Sequence, residues 1–271
     1  MISMLRASVA AAALLATAAS AGAADLPAYE APAAIAVSSF TWTGFYVGGH
    51  AGYVWGDHDV RTSGKDAATR LNVQNRLRPP SVGIDGDGWL VGAQAGYNYQ
   101  FDNSPIVIGL EADISYTDID DSARYNAAPL APALGNIRST FKQELDYLGT
   151  VRGRIGYAFD RVLVYGTGGL AYGKVKTSAR FNNNLTPGGV GGALGFSDSD
   201  SSVEVGYAVG GGVEYAFTDN ITVKGEYLYY DLGDTKLNVN RTAAAPLGQS
   251  GYRSKFENDG HLARVGVNYK F

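Results

Sequence analysis

Eight stretches of this chain, each longer than ten residues, alternate large apolar side chains with small or polar ones. A period of two marks strands rather than helices. The stretches are Gly44–Trp55, Gly88–Phe101, Pro105–Tyr116, Leu145–Phe159, Arg161–Lys176, Ser202–Phe217, Asn220–Asp231 and Gly260–Phe271. They exceed the ~5–6 residues usual for soluble strands and reach the ~9–11 that a tilted strand needs to cross a bilayer. Their connections sort by length. Asp102-Asn103-Ser104, Asp160-Arg161 and Thr218-Asp219-Asn220 are tight links of favoured turn residues. The other four, roughly 57–87, 117–144, 177–201 and 232–259, are long. Strict alternation of short and long brings every long connection to one end. The pattern predicts an all-β chain: an eight-stranded antiparallel up-and-down transmembrane β-barrel with four long extracellular loops and short periplasmic turns.

The faces read directly. In the last stretch Val265, Val267, Tyr269 and Phe271 share one face, and Arg264, Gly266, Asn268 and Lys270 the other. In the sixth, Val203, Val205, Tyr207, Val209, Val213, Tyr215 and Phe217 oppose Glu204, Gly206, Ala208, Gly210, Gly212, Glu214 and Ala216. Glycines therefore travel with charges, on the face with least room. A soluble barrel needs bulky apolar groups inside, so the pattern implies a narrow polar lumen and a lipid-facing exterior. Aromatics gather at the segment ends: Tyr99, Phe101, Tyr157, Phe159, Tyr215, Phe217, Tyr269 and Phe271 near the turns, and Trp55, Trp89, Tyr116 and Tyr229 near the long connections. Two interfacial girdles are expected.

Composition narrows the function. The chain has 271 residues, 36 glycines, 18 tyrosines, no cysteine and a formal net charge of −4. Disulfides, thiolate metal sites and cysteine nucleophiles are excluded. With no basic excess, nucleic acid is not the expected partner. The only long apolar run is N-terminal. Arg6, an Ala/Leu/Val stretch over 7–19 and Ala21-Gly22-Ala23 read as a signal peptide over 1–24, cleaved before Ala24 or Asp25. Residues 25–42 are rich in proline and alanine and read as an N-terminal arm. The barrel is assigned to 43–271.

The end of the leader in AADLP, the first segment TWTGFYVGGHAGYVWG and the terminal VGVNYKF resemble the outer-membrane immunogenic proteins of alpha-proteobacteria, small opacity-type porins. GLEADISY and YGTGGLAYG are similar to that family's third and fifth strands. The resemblance covers Thr41–Phe271. It implies an eight-stranded barrel in the bacterial outer membrane, a structural and surface-antigen role, and contact with lipid and lipopolysaccharide. It also implies that Phe271, with Tyr269 two residues before it, is the signal read by the barrel-assembly machinery. Some relatives are associated with small-solute passage or haem binding, which gives two alternatives: a small porin, or a binder of haem or a host ligand through the loops.

Alternation assigns ten charges to the lumen: Glu111, Asp113, Arg152, Arg154, Glu204, Glu214, Lys224, Glu226, Arg264 and Lys270. Glu111 and Asp113 face Arg152 and Arg154 across neighbouring strands. Glu214, Lys224, Glu226 and Arg264 are expected to form a second cluster. An eight-stranded barrel has little spare room, so a filled polar network is the preferred reading and a charge-lined pore the alternative. The first long connection holds Arg61, Lys65, Arg70, Arg76 and Arg78, candidates for bonding lipopolysaccharide phosphates. No catalytic constellation is present. His50, His58 and His261 sit in no metal-ligand spacing, there is no GxSxG elbow, and Gly166-Thr167-Gly168-Gly169 lacks the GK[ST] of a phosphate loop. Spare lumen volume is the better account of that glycine run. Asp85–Gly88, Asp118–Asp121 and Asp198–Asp200 lack the full calcium-loop pattern. A non-enzymatic protein without metal or cofactor is expected, with its oligomeric state open.

Overall fold

The computed structural model describes residues 40–128, 137–182, 194–242 and 248–271. The signal peptide and residues 25–39 of the arm lie outside them. Eight strands follow in chain order: β1 Gly44–Gly64, β2 Ser81–Gln100, β3 Ile106–Ala127, β4 Ile137–Phe159, β5 Val162–Asn182, β6 Leu194–Ala216, β7 Ile221–Asn240 and β8 Gly251–Lys270. Each pairs antiparallel with its sequence neighbours, and β1 pairs with β8 to close an eight-stranded barrel. The turns are built as their residues suggest. Asn103 and Asp160 take left-handed backbone, φ 53° and 54°, a conformation that Asn and Asp tolerate better than other side chains.

Near the turns the barrel is apolar outside and polar inside. Phe45, Leu110 and Val205 are 66 %, 67 % and 65 % exposed, while Glu111, Arg152 and Lys224 are buried. From Trp89 on β2 to Phe101 just past its end the chain spans about 30 Å along the barrel axis at ~3.3 Å per residue and ~40° tilt. That covers the ~25 Å apolar band of an outer-membrane barrel and its girdles. The aromatics of the turn end face outward: Tyr99, Phe101, Tyr157, Phe159, Tyr215, Phe217, Tyr269 and Phe271 are all exposed.

The strands do not stop where the alternation fades. They run 20 to 23 residues, so most of the four expected loops is strand. The correction has a physical cause, because beyond the lipid band the two faces exchange character. Val60, Ile84, Phe141, Phe181, Phe196, Tyr252 and Phe256 now point inward and form an apolar core. Arg61, Lys142, Lys176 and Lys255 point outward. Bulges help the exchange. The β4–β5 register shifts between Leu145 and Tyr147, and the β7–β8 register between Asp231 and Asp234. Inward positions are therefore even-numbered below each bulge and odd-numbered above it. Gly233 makes the β7 bulge feasible with φ +78°, and its N–H donates to Asp231 Oδ1 at 2.7 Å.

The far half is also no longer a closed barrel. Among the described residues the β2–β3 ladder ends at Leu90↔Thr117 and the β6–β7 ladder at Tyr207↔Asp231. The other ladders continue to the strand tips. The barrel thus opens into a sandwich of two four-stranded sheets, β3-β4-β5-β6 and β7-β8-β1-β2, with the apolar core between them. Phe141 meets Phe256 with ring centroids 6.4 Å apart, and Phe181 and Phe196 each meet Tyr252 at 5.0 Å. A short helix, α1 (Ala67–Gln74), follows β1. Asp66 caps it: Thr69 N donates to Asp66 Oδ1 at 2.9 Å, and Asp66 N donates to Thr69 Oγ1 at 3.0 Å.

A sealed lumen and a charged outer wall

The membrane-spanning half holds one ion network. Glu111 on β3 accepts from Arg152 Nη2 at 2.7 Å, from Lys224 Nζ at 2.8 Å through both oxygens, and from Tyr46 OH at 2.7 Å. Asp113, two residues on, accepts from Arg152 Nη2 at 3.1 Å, from Arg264 Nη1 and Nη2 at 3.0 and 3.1 Å, and from Thr150 Oγ1 at 2.5 Å. Glu226 on β7 accepts from Arg152 Nη1 at 3.1 Å, Arg264 Nε at 2.7 Å and Tyr165 OH at 3.1 Å. Glu214 on β6 accepts from Arg154 Nη2 at 2.9 Å, Thr222 Oγ1 at 2.5 Å and Asn268 Nδ2 at 2.9 Å. The two clusters expected from sequence are therefore one. Arg152 and Arg264 each reach acids on both β3 and β7, which lie across the lumen from one another. Four cations meet four carboxylates, so the set is neutral. That balance matters, because an unpaired charge in such a place costs several kcal/mol.

Two of the ten assigned charges stand outside the network. Glu204 lies beyond the lipid band and accepts from Ser202 Oγ at 2.6 Å and Thr235 Oγ1 at 3.2 Å. Lys270 lies at the turn end with its Nζ 5.2 Å from the Phe40 ring. Alternation places both correctly on the inner face, but height along the strand decides the partner. The network also recruits Tyr46 and Tyr165, whose rings flank the Arg154 guanidinium at 5.3 and 4.7 Å. Both are large side chains of inward parity, an exception to the rule that large side chains face the lipid. The glycine run divides between faces: Thr167 is buried in the lumen and bonded to Arg152, whereas Gly166 and Gly168 occupy outward positions of β5. Only part of that run makes lumen room.

Apolar layers close the network on both sides. At the turn end Trp42, Val107, Leu163 and Ala216 pack together with Phe40. Trp42 is pinned there: its N–H donates to Gln100 Oε1 at 3.0 Å and its indole Nε1 to the Asp160 carbonyl at 3.1 Å. On the other side Val54, Leu90, Leu148, Leu228, Leu232 and Leu262 form a second layer. Above it remains a cavity of about 20 Å³, room for roughly one water molecule.

The five basic residues of the first connection scatter. Arg61 is exposed on the outer wall, 3.5 Å from Glu257. Lys65 donates to Asn240 Oδ1 at 3.0 Å. Arg70 and Arg76 are exposed on and after α1. Arg78 is the exception: it is fully buried and cannot meet lipopolysaccharide. Its guanidinium lies over Phe181 and Tyr252 and donates to the carbonyls of Arg138, at 3.0 Å, and Asn182, at 2.5 Å. Arising beside β2, it ties that sheet to β4 and β5 of the other.

Arg61 has neighbours that only the strand register reveals. Lys255 lies directly opposite it on β8, and Lys236 lies opposite Lys255 on β7. Three cations thus form one cross-strand row, with Arg253 exposed beside it on β8. Cross-strand neighbours cannot be read before the register is known. His50 is buried between Gln94 and Ser115, at 3.1 and 2.8 Å. His261 sits in the outer girdle, its Nδ1 2.7 Å from Tyr227 OH and its ring clustered with those of Trp55 and Tyr227, centroids 6.1 and 5.9 Å away. Tyr269 and Phe271 face outward with ring centroids 5.2 Å apart. The Asp118–Asp121 run lies on a strand, where successive side chains alternate between faces, so its carboxylates do not converge.

The model of the outer membrane protein beta-barrel domain matches residues 9–271. The chain belongs to this family. The 31 kDa outer-membrane immunogenic protein of Brucella melitensis is 35 % identical over 270 residues, covering 99 % of both chains. The 22 kDa outer membrane protein of Rhizobium leguminosarum is 33 % identical over 204 residues, 75 % of this chain and 69 % of that one. Among solved structures, outer membrane protein OprG from Pseudomonas aeruginosa covers 86 % of this chain at TM-score 0.51 and 17 % identity, a likeness of fold. The protein is an outer-membrane β-barrel, and the apolar band described above is its lipid contact.

Proposed function

We propose that the protein is a non-conducting, non-enzymatic structural barrel of the outer membrane that binds lipopolysaccharide through its outer wall. The observation that carries the first part is the sealing of the lumen. A neutral four-against-four ion network lies between two apolar layers, and an ion crossing would have to break both. A small porin would need a continuous wet path. Single-channel recording in planar bilayers tests this: the expected trace is flat, and large, stable open events would overturn the reading.

The lipopolysaccharide contact is supported by the row Arg61, Lys255, Lys236. Like charges directly opposite one another on a sheet destabilise it. On the other sheet Lys142, Lys174 and Lys176 are interleaved with Asp120, Glu144 and Asp146. In the Arg61 row, by contrast, the acids lie on the membrane side only: Arg61 has Glu257 at 3.5 Å and Asp59 at 3.9 Å, and Lys255 has Asp234 at 2.8 Å. Lys236 makes no ion pair among the described residues. A row of cations on the outer wall, about 15 Å past the outer girdle at ~3.3 Å per residue and ~40° tilt, suits phosphates, which form strong charge-assisted bonds. Reversing the row with Arg61→Glu, Lys236→Glu and Lys255→Glu is expected to weaken lipopolysaccharide binding in calorimetric titration while leaving the folded, heat-modifiable gel band. Unchanged binding would remove this contact from the proposal.

A further inference from the structure

One part of the far half has no role in the sealed barrel. Where the β2–β3 ladder ends, two strand edges are left: Ser81–Trp89 of β2, paired only with β1, and Ile119–Ala127 of β3, paired only with β4. A free edge offers a row of backbone donors and acceptors to any extended chain. The second break, between β6 and β7, is laced shut. Phe196 and Arg241 form a bridge, Thr242 N donates to the Gly195 carbonyl at 2.9 Å, and Asn240 Nδ2 donates to Asp198 Oδ2 at 2.7 Å. The β2/β3 seam is held at its top by Tyr125 OH donating to the Arg76 carbonyl at 2.8 Å and at its base by the close approach of Gly88 to Asp118.

We propose that the β2/β3 seam is a strand-addition site for an extended cationic peptide. Three features select that occupant. The β2 edge carries Gly83, Gly86 and Gly88, and glycine in a strand lets another backbone come close. Exposed Asp87, Asp118 and Asp120 line the outer side of the seam; Asp87 accepts from Tyr53 OH and Asp120 pairs with Lys142 at 3.0 Å, so Asp118 is the carboxylate that outward cations of an added strand meet first and the other two are shared. The inner side leads to the small cavity lined by Ile84, Gly86, Ile119 and Asp121, where Gln143 Oε1 is buried without a hydrogen-bond partner. An added strand alternates its side chains, so the fitting sequence places lysine or arginine outward and a methyl-sized residue inward. Arg61 lies opposite Ser81 at the far tip of the β2 edge, but the site uses the strand edges and not that row, and stands or falls independently of it.

The test uses the full chain refolded in detergent micelles and a capped peptide of alternating lysine and alanine. Binding is read by fluorescence anisotropy and by hydrogen exchange. The expected result is saturable binding with new amide protection in 81–89 and 118–127. A peptide of identical charge with alternate backbone nitrogens methylated, those that donate toward one of the two edges, should bind about tenfold or more weaker, because it cannot complete the ladder. Asp87→Asn with Asp118→Asn should also weaken binding, in protein that keeps its heat-modifiable band. No saturable binding, equal binding of the methylated peptide, or protection confined to other strands would overturn the proposal. Equal binding of the methylated peptide would mean simple charge adsorption.

Discussion

Arg152 shows how much one side chain can carry in a narrow barrel. Its guanidinium donates to Glu111, Asp113 and Glu226, and its Nε to Thr150 Oγ1 at 2.8 Å. Replacing it with methionine keeps the bulk but leaves the set one positive charge short. Losing one partner of a buried pair costs roughly 3–5 kcal/mol, and Arg152→Met is expected to destabilise by that order in urea titration of the micelle-bound protein. Arg152→Met with Glu111→Gln restores neutrality and should recover a substantial part. Arg61→Ala on the outer wall should stay within about 0.5 kcal/mol. Equal effects at Arg152 and Arg61 would contradict the network. The lumen charges were legible because alternation alone sends Arg152, Arg154 and Glu111 inward. Arg78 was not, because nothing in Arg-Leu-Arg-Pro-Pro shows that Phe181 and Tyr252 wait above it. There burial holds the guanidinium below its ordinary value, partly offset by Tyr252.

Among the elements, α1 is the least foreseeable and has the clearest pH signature. Its sequence lacks a strong apolar stripe, and its position is set by the Asp66 cap. Burial tends to raise the Asp66 carboxyl, but the N–H groups of Ser250 and Thr69 outweigh it and hold the carboxyl below its ordinary 3.8. The folded value is thus the lower one. The cap's contribution is complete above the unfolded value and is lost as pH falls through the folded value. Ser250 N donates to Asp66 Oδ2 at 2.6 Å, so the same protonation loosens the segment before β8. Amide exchange in 67–74, scaled for intrinsic rate, should rise below about pH 4, and Asp66→Ala should show that raised exchange at every pH. A capping residue is worth about 1 kcal/mol. Exchange in the variant that still changed with pH like the wild type would locate the titration elsewhere. The strands divide in a similar way. Their membrane halves were readable because lipid outside and charges inside give an unmistakable alternation. Their far halves were not, because the faces exchange and the bulges at Leu145–Tyr147 and Asp231–Asp234 break the period.

For the molecule as a whole, one sequence folds under two solvents. The membrane half is stabilised by a neutral lumen and by lipid around Phe45, Leu110 and Val205. The far half is stabilised as soluble sandwiches are, by Phe141, Phe181, Phe196, Tyr252 and Phe256 packed between sheets. Its ladders are broken at two places, and one of the two seams leaves its strand edges unpaired. Free edges and a small core place a region at the low end of local stability. The three tryptophans, Trp42, Trp55 and Trp89, all lie in or bordering the membrane half, so indole fluorescence reports that half alone, whereas far-ultraviolet circular dichroism reports both. In urea titration of the micelle-bound protein the dichroism should therefore begin to fall at a lower denaturant concentration than the fluorescence. Two non-coincident curves are the mark of a transition that is not two-state. A detergent that better matches the lipid band should move the fluorescence curve and leave the first dichroic step in place. Superimposable curves in every detergent would mean that the sandwich and the barrel fold as one cooperative unit, and that the edges at the β2/β3 seam are held as firmly as the strands below them.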